Sequence, residues 1–351
     1  MAEIERSPSD DELLDVGEGT PEELSRLFEE RGWGDGLPVV PPTPERVEAM
    51  LAAGEGDADE VLATLAPRFG LATRRAVATN AVLAGCPPAT FPVLVSAIRA
   101  LAQPELNLRG VNATTHPVAP LLVVHGAAAD LGFNDGLGTF GPGWRSNATV
   151  GRALRLVLLH VAGATPGEGD ASTQGQPSKY AYCIAENLAA SPWEGYAKSR
   201  GVDAPAAVTV FPGEGPHNFH DMESDHPARI LDKAASAAAS TGTNNACISQ
   251  GELFVVLCPE HAATIAGAGW DRRDVQSYLF ETARLPAGEL RAAFDLRAWR
   301  PWMNEVDDDA PLPVTEHPEN FRVLVAGGPG KHSCIIPSWG MCRSVTVPVE
   351  P

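Results

Sequence analysis

The densest set of side chains able to hold a metal or move a proton is His217-Asn-Phe-His220-Asp221-Met-Glu223-Ser-Asp225-His226, with three histidines and three carboxylates. Neutral imidazole suits zinc or iron, and a carboxylate can complete a ligand set that leaves positions open for water or substrate. His217, His220, Asp221 and His226 are therefore the candidate ligands of a divalent transition metal, and His220 and Asp221 could equally support proton transfer. A solvated acidic turn is the alternative, since no HExxH-type spacing is present.

A second set closes the chain, in Lys331-His332-Ser333-Cys334 and, further on, Cys342-Arg343. A thiol close to Lys331 and His332 is expected to have a lowered pKa and to act as a nucleophile. Cys334 and Cys342 could instead form a redox couple, although their spacing is not CxxC. Lys331, Ser333 and Arg343 could hold a carboxylate or phosphate. Between the two sets, Asn112 and His116 stand just before an apolar run, where a turn could present them to a cleft or His116 could simply be a satisfied strand-start histidine. Arg145 and Asn147 stand at the head of an apolar helix expected over 148–161, with Ser146 or Asn147 as its cap. The free N–H groups and dipole there favour an anion.

The elements that must position these groups show echoes of one another. Val208, Val210, Gly213, Gly215 and His217 recur 115 positions later as Val323, Val325, Gly328, Gly330 and His332. Leu121-Leu-Val-Val124 recurs 132 positions later as Leu253-Phe-Val-Val256, with Asn112 falling on Asn244, and Gly141-Pro-Gly-Trp144 recurs 126 later as Gly267-Ala-Gly-Trp270. The order predicts an α/β fold of two pseudo-symmetric repeated α/β units with glycine-rich turns, preceded by a helical N-terminal segment. The expected organisation is a disordered acidic tail over 1–20, the helical segment and first unit over 21–205, and the second unit over 206–351. A pseudo-twofold arrangement would bring His217 and His332 to related places.

Helices are expected after the Thr20-Pro21 and Thr43-Pro44 cap signals, over 63–83 and over 91–101. The loop around Trp33 and Asp35 could close over a site or pack on the core. The chain has 351 residues, 44% hydrophobic, with 34 glycines and 31 prolines, enough for a large core joined by many ordered turns. A net charge of −19 argues against nucleic acid or an anionic membrane as partner. No apolar run is long enough for a membrane span, and the N-terminus lacks a secretory h-region. Cys86, Cys183, Cys247, Cys258, Cys334 and Cys342 carry no disulfide or zinc spacing, as in a reducing cytoplasm. The glycine spacings fit neither a dinucleotide fingerprint nor a P-loop, so neither NAD nor ATP is expected.

Six motifs, Trp33-Gly-Asp-Gly-Leu-Pro-Val-Val-Pro-Pro-Thr43, Asn112-Ala-Thr-Thr-His-Pro117, Gly141-Pro-Gly-Trp-Arg-Ser-Asn147, Thr173-Gln-Gly-Gln-Pro177, Gly213-Glu-Gly-Pro-His-Asn218 and Gly327-Gly-Pro-Gly-Lys-His-Ser333, together resemble an uncharacterised bacterial protein family associated with small UGSC-type (seleno)proteins. The resemblance runs from about residue 20 to 347. It implies a partner or fused domain carrying a reactive cysteine or selenocysteine. Cys334 and Cys342 are not part of that family's pattern.

The sequence thus points to a cytoplasmic enzyme of lyase or hydrolase type acting on a small anionic molecule where the two units meet. His217 and His332 are its central groups, and a homo-oligomer is compatible with it. A thiol-redox protein using Cys334 and Cys342, and a non-catalytic subunit for a UGSC-type partner, are the alternatives.

Overall fold

The computed structural model describes residues 19–127, 131–246, 251–294 and 305–350. The tail over 1–18 and Cys247 lie outside the described residues. Thr20 caps α1 (Pro21–Glu30) through a capping box, its hydroxyl accepting from Glu23 N–H at 3.3 Å and the Glu23 carboxylate accepting from Thr20 N–H at 2.8 Å. Thr43 precedes α2 (Pro44–Leu51). The loop between these helices is strapped down by Arg152, whose guanidinium donates to both Asp35 oxygens, at 2.7 and 2.8 Å, and to the Leu37 and Pro38 carbonyls.

Residues 63–83 do not form one helix. They divide into an antiparallel hairpin, β1 (Val61–Leu65) and β2 (Gly70–Thr73), followed by α3 (Arg74–Ala84). The turn between the strands holds Pro67 and a left-handed Phe69 (φ 58°), neither of which a helix interior accommodates. α4 (Phe91–Leu101) matches its expected limits. Then follow α5 (Leu108–Ala113), β3 (Ala119–Gly126), α6 (Arg145–His160), β4 (Cys183–Ala185), α7 (Tyr196–Ser199), β5 (Ala206–Gly213) and β6 (His217–His220). The chain continues through α8 (Pro227–Ala238), β7 (Leu253–Leu257), α9 (Pro259–Gly267), α10 (Arg272–Thr282), β8 (Arg284–Pro286), α11 (Ala287–Ala293), β9 (Pro311–Pro313), β10 (Phe321–Val325), β11 (His332–Pro337) and β12 (Val345–Pro348).

Two four-stranded mixed sheets carry the fold, β12-β5-β3-β4 and β6-β11-β7-β10. In the first, β3 runs parallel to β4 and antiparallel to β5, which is antiparallel to β12. In the second, β7 runs parallel to β10 and antiparallel to β11, which is antiparallel to β6. The edge strands are exchanged: β6 follows β5 in the chain but pairs with β11, and β12 follows β11 but pairs with β5. The two crossing segments touch through a Gly213–Ser338 bridge and a Glu214 N–H to Pro337 carbonyl hydrogen bond of 2.8 Å.

Strand alternation sorts the side chains into layers. Leu121 and Val123 of β3 meet Phe254 and Val256 of β7 between the sheets. Leu122 and Val124 point outward to α3, α4 and α6, while Leu253 and Val255 point outward to α8, α9 and α10. Because both faces of β3 and β7 are covered, each reads as an unbroken apolar run. The 132-residue echo relates these two central strands. The 115-residue echo relates β5, antiparallel beside β3, to β10, parallel beside β7, so its partners hold different positions in their sheets. The division expected at residue 206 separates β5 from β3, with which it pairs along its whole length.

The layer between the sheets is not wholly apolar. Buried His125 donates from Nδ1 to Glu186 Oε2 at 2.7 Å, and its Nε2 lies 2.8 Å from Thr209 Oγ1, which in turn meets Thr346 Oγ1 of β12. Glu252 and Arg322 form a second buried pair at 2.5 Å. Among the described residues, no helix is long and apolar enough to cross a membrane.

Candidate functional site

An open cleft of about 500 Å³ lies between β6 and α8, lined by His217, Asn218, Arg229, Asp232, Lys233 and Ser236. His226 caps α8, its Nδ1 accepting from Ala228 N–H at 3.3 Å, and Pro227 occupies the first helical position. Ile230, Leu231, Ala234 and Ala235 then turn to the sheet and pack on Phe219. This leaves Arg229, Lys233 and Ser236, spaced at four and three residues, as a polar stripe along the cleft.

Asp221 sets the far end of this arrangement. It is 4% exposed, and its carboxylate receives Lys233 Nζ at 2.5 Å, Ser224 N–H at 2.8 Å and Glu223 N–H at 3.1 Å. Burial alone would raise this carboxyl, but the bonds from Lys233 and Ser224 outweigh it and hold it well below the usual carboxylate range. Asp221 is thus a clamp for the β6–α8 turn. Asp232, also on the cleft, accepts from the Tyr278 hydroxyl at 2.7 Å. Arg229 and His217 are exposed, with no side-chain partner among the described residues.

The candidate metal ligands are not gathered at one point. Alternation puts His217 and Phe219 on the helix side of β6 and Asn218 and His220 on the other, while Asp221 is engaged by Lys233 and His226 by the helix cap. Among the described residues, no group of three or more His, Cys, Asp or Glu side chains is disposed to hold a metal ion. His217 and His332 do not occupy related turns. Each opens a strand of the same sheet, and the register sets His332 opposite His220.

The remaining sequence candidates are spread through the fold. Ser333 is buried: its hydroxyl accepts from Cys258 N–H at 2.9 Å and lies 2.7 Å from His261 Nδ1. His261 Nε2–H donates to the Asp221 carbonyl at 3.1 Å, so Nδ1 accepts from the Ser333 hydroxyl. Burial keeps this imidazole below its ordinary pKa, against the pull of the Asp221 carbonyl. His116 accepts from Val118 N–H on Nδ1 at 3.1 Å and donates from Nε2 to Glu214 at 2.9 Å, tying the start of β3 to the crossing after β5. Both nitrogens are used, as for a satisfied strand-start histidine.

Asn112 and Asn147 are buried parts of the scaffold. Asn112 donates to the Ala66 carbonyl from within α5, and Asn147 binds Asn134 N–H and the Asn134 and Thr139 carbonyls within the first turn of α6. The helix therefore starts earlier than 148, and neither Ser146 nor Asn147 caps it. Arg145 is exposed and donates to the Gly85 carbonyl; Lys331 donates to the Met222 carbonyl. Arg343 pairs with Glu316 and donates to the Gly340 and Cys342 carbonyls.

The expected activation of Cys334 is not met. Burial between the sheets pushes its thiol up to about 12. Cys342 is also pushed up to about 12 by burial, and it packs in a different cluster, with Val111, Val118 and Trp339. Sequence reasoning missed Arg229, Ser236, His261 and the His125–Glu186 pair. The helical spacing of Arg229, Lys233 and Ser236 after Pro227 was a usable signal for the first two; His261 and Glu186 carried none. Comparison with protein-family models, curated proteins and solved structures returns no match to this chain.

Proposed function

We propose that this protein is an enzyme acting on a small anionic organic molecule, by lyase or hydrolase chemistry, in the cleft between β6 and α8. One observation carries the reading: exposed His217 and exposed Arg229, neither engaged by another side chain among the described residues, line the same cleft in a chain of net charge −19. A guanidinium can take a carboxylate or phosphate through paired N–H groups, and Lys233 and Ser236 extend that polar wall. His217 is then the group placed to give or take a proton beside the bound anion.

The same reading includes the repeat. We take the two sheets as copies of one unit, supported by their shared strand directions and by the reciprocal exchange of β6 and β12. The cleft then lies at their junction, between the exchanged strand of the first unit and the opening helix of the second. Buried Cys334 and Cys342, in separate clusters, lend the thiol-redox alternative no support.

The test is a thermal-shift and ligand-detected NMR screen of small carboxylates and phosphate esters against wild type, Arg229→Ala and His217→Ala. Ligands should stabilise wild type, lose at least about tenfold in affinity in Arg229→Ala, and bind but not turn over in His217→Ala. If the ligands found bind Arg229→Ala as tightly as wild type, the cleft is not the anion site.

A further inference from the structure

His220 and His332 are direct cross-strand partners on β6 and β11, and both are exposed. The neighbouring pair is the hydrogen-bonded one, since Asp221 N–H donates to the Lys331 carbonyl. Antiparallel ladders alternate, so His220 and His332 form a non-hydrogen-bonded pair, the kind that brings side chains closer. Their rings accordingly stand 5.4 Å apart, centroid to centroid, with their planes 30° from parallel.

The second nitrogen of one ring is already directed. His332 Nδ1–H donates to Asn218 Oδ1 at 3.0 Å, which fixes the tautomer and leaves Nε2 with a free lone pair. That is the usual arrangement around a metal-bound histidine, whose other ring N–H is held by a carbonyl, carboxylate or water. Asn218 lies on the same side of β6 as His220, two residues away, so the strand period supplies a ligand and the residue that orients its partner. His220 has no hydrogen-bonding partner among the described residues, and nothing there competes for its lone pair.

We propose that His220 and His332 form a two-histidine site for a divalent transition ion such as zinc, oriented by Asn218, with its remaining positions open to water or a ligand. The site excludes His217, on the other side of the strand, Asp221, clamped by Lys233, and His226, engaged in the α8 cap. Imidazole nitrogen is a common zinc ligand, and a four-coordinate ion held by these two histidines would take water or a ligand at its other two positions. The acidic character of the whole chain favours an incoming cation.

The experiment is isothermal titration of the chelator-treated full chain with zinc chloride, alongside His332→Ala, His220→Ala, Asn218→Leu and His217→Ala. Wild type is expected to saturate at one equivalent, both single variants of the pair to lose saturable binding, and Asn218→Leu to bind about 10- to 100-fold more weakly. His217→Ala should bind zinc as wild type does, which keeps this result independent of the cleft reading. Far-ultraviolet circular dichroism and melting of each variant confirm that the exposed substitutions leave the fold intact. Saturable binding that persists in His332→Ala, or wild type that takes up no zinc, would overturn the proposal.

Discussion

β12 and β6 are the two exchanged edge strands, and they are used in opposite ways. β12 places Val345 and Val347 against the first core, with Val349 just beyond the strand, and offers Thr346 to the buried Glu186–His125–Thr209 chain. β6 buries only Phe219 and leaves His217, Asn218 and His220 exposed. The same manoeuvre of the chain therefore closes a core at one edge and presents polar side chains at the other. What decides is whether the sequence supplies apolar residues to cover the strand.

Removing β12 should have the largest effect. A chain ending at Arg343 should lose cooperative unfolding, seen as loss of the thermal transition, because sheet one then exposes the backbone of β5 and part of its core. Next in size is Glu252→Ala, which strands Arg322, 6% exposed, between the sheets and should cost about 3–5 kcal/mol in denaturant unfolding. Thr209→Val deprives His125 Nε2 of its buried partner and should cost about 1–3 kcal/mol. The triple variant His217→Thr/Asn218→Thr/His220→Thr in β6 should change stability by less than about 0.5 kcal/mol, since it alters exposed positions of a strand that threonine suits. A loss as large as that of Thr209→Val would show that the two strands are not used differently.

Acid sharpens the same contrast. On the side of sheet one, His160 donates from Nδ1 to Asn80 and keeps a buried Nε2 with no partner among the described residues, and burial lowers its pKa from 6.5 to about 4. The unfolded chain therefore binds a proton that the folded chain refuses, and this contribution to stability is lost as pH falls from about 6.5 to about 4. Asp221, beside β6, has its folded pKa depressed, so its contribution is present above the ordinary carboxylate range and disappears only at lower pH. Two-stage acid weakening should follow, with His160→Gln flattening the upper stage and Asp221→Asn the lower, measured by melting temperature against pH.

Local physics explains how much was legible in advance. Thr20-Pro21 and Thr43-Pro44 mark helix starts because a fixed φ and, at Thr20, a side-chain cap act within a turn of the chain, and the apolar runs at Leu121 and Leu253 mark central strands because both their faces are buried. His217 and Arg229 illustrate the limit. The first stood out as a residue type in a dense cluster, but its role depends on which side of β6 it occupies. The second stood out only once α8 lay against that strand.

The sequence by itself determined the α/β character, the capped start of α1, the two buried central strands and the richness of residues 217–226 in groups that bind protons or metals. Only the tertiary structure decided that β6 and β12 exchange sheets, that His332 pairs with His220 rather than mirroring His217, and that Cys334 lies buried between the sheets. Strand pairing is made by hydrogen bonds between residues far apart in the chain, and the two-residue period of a strand converts a register into a choice of face. No spacing along the sequence carries that information, because it resides in the partner strand.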